Sequence, residues 1–320
     1  MTGAARSVGL VVNVRRRRAI ELAHEATDWL VARGHLVRIP DDDAAVAGLE
    51  KYGCPTEQFA SGIDLAVSLG GDGTILRTVG LVASSRVPVL GVCLGRLGYL
   101  SHVEPDSLTS AFERFLDGDF DLDERLMLRV AVVPGPPDAD RGETGESDTD
   151  DQTIPADRRA AGRDARVAPA GATSHLALNE AVVEKPSAGQ VVRVAVSADG
   201  TFFTSYAADG MIVATPTGST AYAFSARGPI IAPAHRAFLL TPVSPHMAFD
   251  RSLVFDPSQS LRLEVLDRPA RLIVDGHELG SLAPGAAITC TAADETARFV
   301  TFGPPDFYGV LKAKFGLADR

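Results

Sequence analysis

A single carboxylate, Asp72, stands among three glycines in Ser68-Leu-Gly-Gly-Asp-Gly-Thr-Ile-Leu76. Gly70, Gly71 and Gly73 carry no Cβ and tolerate φ > 0, so with Thr74 they form a loop whose backbone can approach a phosphate. A carboxylate inside a phosphate cradle is electrostatically awkward. It makes sense if Asp72 accepts the proton of a hydroxyl under phosphorylation, or helps hold Mg²⁺. The competing reading is a plain strand-to-helix turn in which Asp72 caps the helix and the glycines only satisfy geometry.

Two further clusters carry polar chemistry. In Asp209-Gly-Met-Ile-Val-Ala-Thr-Pro-Thr-Gly-Ser-Thr-Ala-Tyr222, an expected strand runs into a hydroxyl-rich turn. Hydroxyls and amides there can bind a base, ribose or phosphate without adding net charge, and Gly218 permits a close backbone approach. Tyr222 offers a face for stacking. Leu178-Asn179-Glu180 sets an amide beside a carboxylate, a pairing suited to clamping a ribose diol. Taken singly, the first is also an ordinary capped turn and the second an ordinary surface pair. The basic run Arg15-Arg-Arg-Arg18 reads equally as a solvated helix start or as a phosphate contact.

These residues need a scaffold, and the hydrophobic pattern describes one. Apolar runs at 8–12, 34–39, 64–69 and 87–92 read as strands, separated by helical patterns at 19–32, 74–81 and 106–116. Such alternation implies a parallel sheet covered on both faces, with ligands bound beyond the carboxyl ends of its strands. The loop at 70–74 falls at one such end. From residue 129 the pattern turns β-rich, with strands at 128–133, 190–198, 201–206, 210–214, 260–266 and 271–274. Asp199-Gly200 reads as a hairpin turn. Helix returns only at 306–315. Residues 134–173 are rich in Pro, Gly, Asp, Glu and Arg and nearly devoid of large apolar side chains, so a disordered acidic insertion is expected there.

Composition narrows the class. A chain of 320 residues has room for about two domains. No run approaches the roughly 18 apolar residues that span a bilayer. The run at 8–12 is too short for a signal-peptide core, so a cytoplasmic protein without a membrane partner is expected. Cys54, Cys93 and Cys290 lack metal-ligand spacing, and reduced thiols are the expected state. A net charge of −10 argues against a nucleic-acid partner but leaves room for an anionic substrate in a local basic pocket.

Together the pieces resemble the bacterial NAD kinases, the family of ATP- or polyphosphate-dependent NAD kinases. The matching stretches are Gly70-Gly-Asp-Gly-Thr74, Gly91-Val-Cys-Leu-Gly-Arg-Leu-Gly-Tyr-Leu100, Asn179-Glu180, 209–225, 241–246 and Val274-Asp-Gly276, in family order over nearly the whole chain. The glycine loop alone is shared with lipid kinases and phosphofructokinases, but the combination is specific. The resemblance implies an α/β N-terminal domain (1–126, a parallel sheet with flanking helices) and a β-rich sandwich C-terminal domain (127–133 and 174–305). It places the active site between them and returns a C-terminal helix (306–320) to the first domain. It implies phosphoryl transfer from ATP, another nucleoside triphosphate or polyphosphate to the 2′-hydroxyl of the adenosine ribose of NAD, giving NADP. Asp72 is then the general base, with Gly73 against the same substrate. Asn179, Glu180, Asp209, Thr217, Thr220, Ala221, Tyr222, Ala223, Phe224 and Ser225 carry over as NAD contacts. Arg77 matches a basic position that can reach phosphate, and His277 occupies a position of varied polar character. Mg²⁺ or another divalent metal is implied without a dedicated protein cage, as is a homodimer or homotetramer.

The chain departs from the family pattern in three places. Cys93 stands where many members have a polar residue, Arg227 interrupts a usual Gly-Gly-Pro, and Asn13-Val14 replaces Asn-Pro. Two other readings share some of these features: a lipid-type kinase with the same glycine loop, and a catalytically weakened NAD(P)-binding regulatory paralogue. The first leaves 209–222 unexplained, and only Cys93 and Arg227 favour the second.

Overall fold

The computed structural model describes residues 5–95, 98–101, 103–135, 172–304 and 306–317. The chain divides into two compact units, Met1–Arg125 with Glu295–Arg320, and Leu126–Asp294. Among the described residues no helix is long and apolar enough to cross a membrane.

In the first unit, strands β1 (Ser7–Val12), β2 (Leu36–Pro40), β3 (Gly53–Cys54), β4 (Leu65–Gly70) and β5 (Val89–Cys93) form a parallel sheet in the order β3-β2-β1-β4-β5. All six residues of β4 are buried, as a strand covered on both faces requires. Helix α1 (Arg17–Ala32) turns Ala19, Leu22, Ala23, Ala26 and Leu30 into the core at helical spacing. The strand order reverses between β1 and β4, so their carboxyl ends flank a switch point, where ligands bind in sheets of this kind. Gly70 ends β4 there, and helix α3 (Asp72–Val82) begins two residues later.

The helix expected at 74–81 therefore starts earlier, at Asp72 itself. Gly71 is its N-cap residue, and no side chain caps it. A short helix, α2 (Asp41–Ala47), was not expected. Three aspartates in its first turn suit the positive end of the helix, and Gly48 closes it in the left-handed conformation. Buried Asp43 accepts the Val12 amide at 2.8 Å. Helix α4 (Leu108–Asp117) follows a 3₁₀ turn at Pro105–Ser107, together covering the pattern at 106–116.

The second unit is an antiparallel sandwich. Its strands are β6 (Asp121–Val133), β7 (Thr173–Ala177), β8 (Glu180–Glu184), β9 (Val192–Ala198), β10 (Thr201–Ala208), β11 (Gly210–Ala214), β12 (Phe238–Val243), β13 (Leu253–Phe255), β14 (Ser260–Val265), β15 (Ala270–Val274), β16 (His277–Leu282) and β17 (Ala287–Thr301). One sheet runs β10-β9-β14-β17, with β6 paired to β7; the other runs β13-β12-β11-β8-β15-β16. Strand β11 shows why two layers form. Met211 and Val213 enter the core shared with Val194, Tyr206, Leu261 and Leu263 of the facing sheet. Ile212 and Ala214 pack on the opposite face with Ala223 of the short helix α5 (Tyr222–Ser225).

The unit boundaries fall inside β6 and β17, so residues from Glu295 group with the first unit, earlier than the expected boundary at 305. Helix α6 (Phe307–Phe315) also belongs to the first unit. Of the expected insertion, 136–171 lies outside the described residues, and Thr173 opens β7 instead. The hairpin at Asp199-Gly200 is present, with φ of 49° and 76°.

Gly9 in β1 shows how tightly the first unit is packed. A Cβ there would sit 2.5 Å from Cζ of the fully buried Phe59. Overpacking of this kind costs about 1–3 kcal/mol. Gly9→Ala is expected to lower the midpoint of thermal or urea unfolding, and an unchanged midpoint would mean that Phe59 yields freely.

Candidate active site

Asp72 is the first residue of α3, so its carboxylate lies in the first turn, where the exposed amides of the helix favour negative charge. Its Oδ1 is buried and has no hydrogen-bond partner among the described residues. Gly98 makes room for it: a Cβ on Gly98 would overlap Oδ1. Tyr99 follows directly. Burial and, secondarily, the Asp72 charge push its phenol pKa up, and its hydroxyl is also buried without a partner. Oδ2 of Asp72 faces Lys314 of α6 at 3.8 Å.

The loop glycines serve geometry differently from the sequence reading. None of Gly70, Gly71 and Gly73 adopts positive φ. Gly70 is required because a Cβ would overlap the Thr74 side chain, whereas the space before Gly71 and Gly73 is open. Arg77, expected to reach phosphate, pairs with buried Asp43. Of the basic run, Arg17 pairs with Glu21, Arg18 with Glu21, Glu25 and Asp106, and Arg16 donates to the Leu94 carbonyl. Cys93 is buried at the end of β5 and lines a cavity of about 370 Å³ with Arg16, Arg18, Leu94 and Glu104.

In the second unit, Asp275 organises Asn179 and Glu180. Its two oxygens accept three consecutive amides, from Leu178 at 2.7 Å, Asn179 at 2.7 Å and Glu180 at 3.1 Å. Asp275 and Gly276 form the two-residue turn between β15 and β16, both in the left-handed region (φ 48° and 80°), which aims the carboxylate back at the start of β8. Glu180 is buried and its Oε2 has no partner. Burial first, then the neighbouring Asp275 charge, raise its pKa to about 8, against a hydrogen bond from the Tyr222 amide. Burial likewise raises the pKa of Asp275, opposed by the amides it accepts and by His277.

The hydroxyl-rich turn is largely committed to itself. Thr215 Oγ1 donates to the Leu178 carbonyl at 2.5 Å and accepts the Gly218 amide at 3.0 Å. Ser219 bridges Pro216 and Ile231, and Thr220 bonds to the Thr217 carbonyl. Thr217 Oγ1 is left buried without a partner. Gly218 does permit close approach, but to the Asn179 backbone, which a Cβ would overlap.

Beyond this turn, Tyr222 and Phe224 are exposed enough to present a ring, whereas Ala223 is fully buried. Burial and then Glu184, Asp209 and Glu180 raise the Tyr222 pKa, opposed by Lys185, so these groups surround its hydroxyl. Asp209 is ion-paired to Lys185. Exposed His277 turns Nδ1 toward the Asp275 carbonyl at 3.2 Å. Ala221 is half-buried and Ser225 exposed. Arg227 adopts φ 66° beside a cavity of about 410 Å³ lined also by Tyr222, Ser225 and Ser244.

Sequence reasoning missed the roles of Asp275, Lys314, Tyr99 and Lys185. For Asp275 a signal existed: Asp-Gly after a strand is the same hairpin mark that was read at Asp199-Gly200. For Lys314 there was none, because its neighbours are remote in sequence.

Comparison with known proteins identifies the family and the fold. Residues 8–120 match the family model described as the ATP-NAD kinase N-terminal domain, and residues 178–302 match that of the ATP-NAD kinase C-terminal domain. The chain is 36% identical to "NAD kinase 1" of Streptomyces avermitilis, covering 98% of this chain and 87% of the relative. It is 34% identical to the NAD kinase of Heliobacterium modesticaldum, covering 96% and 98%. Yeast NADH kinase solved with NADH shares the fold at a TM-score of 0.81 and 22% identity, covering 99% of this chain and 89% of that one. An Archaeoglobus fulgidus NAD kinase solved with ATP does so at 0.66 and 23%, covering 98% and 100%.

Two tests follow from this geometry. Glu180 binds its proton up to about pH 8 when folded, against an ordinary value of 4.5, so between these values the folded chain holds more protons than the unfolded one. Its contribution to stability is therefore complete below about pH 4.5 and is lost as pH rises through about 8. The melting midpoint should fall more steeply over that window in the unmodified chain than in Glu180→Gln; parallel slopes in a pH series of melts would contradict the shift. Arg227→Gly should relieve a left-handed non-glycine residue and raise the midpoint by about 1–2 °C, measured by calorimetry.

Proposed function

The chain belongs to the NAD kinase family and is a kinase, and from that premise we propose that it phosphorylates the 2′-hydroxyl of the adenosine ribose of NAD, with Asp72 as general base. The observation that supports this is the placement of the Asp72 carboxylate in the first turn of α3, beside the open space before Gly71 and Gly73. Phosphoryl transfer asks mainly for positioning and charge neutralisation. A carboxylate serves as base for an alcohol when the proton leaves late, as the new oxygen–phosphorus bond forms.

NAD is held, on this reading, by Asn179, Glu180, Asp209, Thr217 and 220–225. The Tyr222 ring supplies a stacking face, and the unpartnered Glu180 Oε2 and Thr217 Oγ1 supply polar contacts. A Glu180 carboxyl protonated near neutrality can donate a hydrogen bond as well as accept one. Ala223 acts through packing, since its side chain is fully buried. The open space before Gly71 and Gly73 supports a donor-phosphate loop at 70–74.

ATP is the donor, with other nucleoside triphosphates or polyphosphate as further candidates. Mg²⁺ belongs to the reading as a cation carried on the donor's phosphates. Among the described residues no group of three or more His, Cys, Asp or Glu could hold a metal ion, so no step is assigned to it. A cytoplasmic homodimer or homotetramer without a nucleic-acid partner completes the reading, in keeping with the net charge of −10. Neither the lipid-type kinase nor the weakened paralogue is favoured by the likenesses described above.

The decisive variant is Asp72→Asn. It is expected to bind NAD with unchanged affinity in titration calorimetry while NADP formation, followed by a coupled NADPH assay, falls by about 10²-fold or more. Near-normal NADP formation would remove Asp72 from the role.

A further inference from the structure

Helix α6 has its own anchors. Asp306 caps its start, accepting the Gly309 amide at 2.8 Å, and Gly316 closes its end in the left-handed conformation. The Phe307 ring packs against Tyr99 with centroids 6.0 Å apart. Two turns further on the same helix stripe comes Lys314. Its Nζ lies 3.9 Å from the centroid of the same Tyr99 ring, within cation–π range, and 3.8 Å from Asp72 Oδ2. One aromatic ring thus aligns both ends of the helix, and the result is an ammonium set against one oxygen of one carboxylate.

As a source of fold stability this contact is weak. Both side chains are about a third or more exposed, and 3.8 Å is an ion pair without a hydrogen bond. Its effect is directional. Oδ1 is lodged where Gly98 lacks a Cβ and has no partner; Oδ2 faces the cation. An ammonium carries three donors and no acceptor, so it cannot itself take a proton from an alcohol.

We propose that Lys314 is the positioning residue for Asp72, holding the carboxylate in the orientation in which it takes the proton of the accepting hydroxyl. The inference rests on Asp72 being the base. The hydroxyl oxygen forms its bond to the terminal phosphorus of the nucleoside triphosphate. The bond from that phosphorus to the bridging oxygen breaks, its electron pair leaving on the nucleoside diphosphate, and the hydroxyl proton passes to the Asp72 carboxylate. Lys314 keeps its own protons throughout.

The test uses the full chain with NAD and MgATP. Lys314→Met is expected to lower kcat by about 10²-fold, the scale of a misplaced reacting group, with KM for NAD within about threefold of the unmodified value. Lys314→Arg should regain most of the rate, because charge and reach are kept. Lys314→Gln, a second uncharged variant, should behave as Lys314→Met and serves if the latter fails to fold by thermal melting. Adding Lys314→Met to Asp72→Asn should lower the residual rate no further, since a residue acting through Asp72 has nothing left to position. Full turnover by Lys314→Met alongside a silent Asp72→Asn would overturn the proposal and leave the base intact. So would an equal loss in both backgrounds, or a loss that Lys314→Arg does not restore. Full turnover by Asp72→Asn would instead remove the base, and with it this inference.

Discussion

Three successive amide hydrogens, those of Leu178, Asn179 and Glu180, converge on the one carboxylate of Asp275, and the polar architecture of the second unit depends on that convergence. A buried amide left without an acceptor costs about 1–3 kcal/mol, so this carboxylate offsets a penalty that the bend into β8 would otherwise impose. The surrounding backbone closes the account: the Asp275 amide donates to the Glu180 carbonyl at 3.0 Å, the Thr215 amide to the Asn179 carbonyl at 2.9 Å, and the Thr215 hydroxyl to the Leu178 carbonyl. With its main chain satisfied in this way, Glu180 is driven into a dry position beside another carboxylate. Its raised pKa is a consequence of that placement.

Much of the first unit was legible from local pattern. The apolar run before Gly70 is a strand buried on both faces, and the alternation of strands with helices yields the parallel order β3-β2-β1-β4-β5. Local chemistry was also legible at Asp199-Gly200, where the turn type demands positive φ and Asp-Gly accepts it. What was not legible is long-range. Asp275 meets residues 95 to 97 positions away, and Lys314 meets Asp72 across most of the chain. Neither contact leaves a mark in a window of ten or twenty residues. The internal bonding of the hydroxyl-rich turn was not legible for a related reason. Thr215, Ser219 and Thr220 each bond a main-chain group, Thr215 that of distant Leu178, while the Thr217 hydroxyl has no partner among the described residues.

Both units leave buried polar atoms without a partner among the described residues, some on residues proposed for the chemistry (Asp72 Oδ1, Glu180 Oε2, Thr217 Oγ1) and some in the core (Thr27 Oγ1, Tyr206 Oη). Folded proteins pair the great majority of such atoms, so these are poor choices for stability alone.

The overlap that any side chain at 218 would create with the Asn179 backbone has a further reading. Two stretches of sequence, separated by four strands, share a single van der Waals surface and can drift only together. A change of side chain at 179 leaves this main-chain contact as it is, whereas any side chain at 218 would displace that main chain. Functional divergence in this site is therefore channelled: new side chains can be tried on the β8 side, while the turn opposite acts as a fixed template against which each is judged.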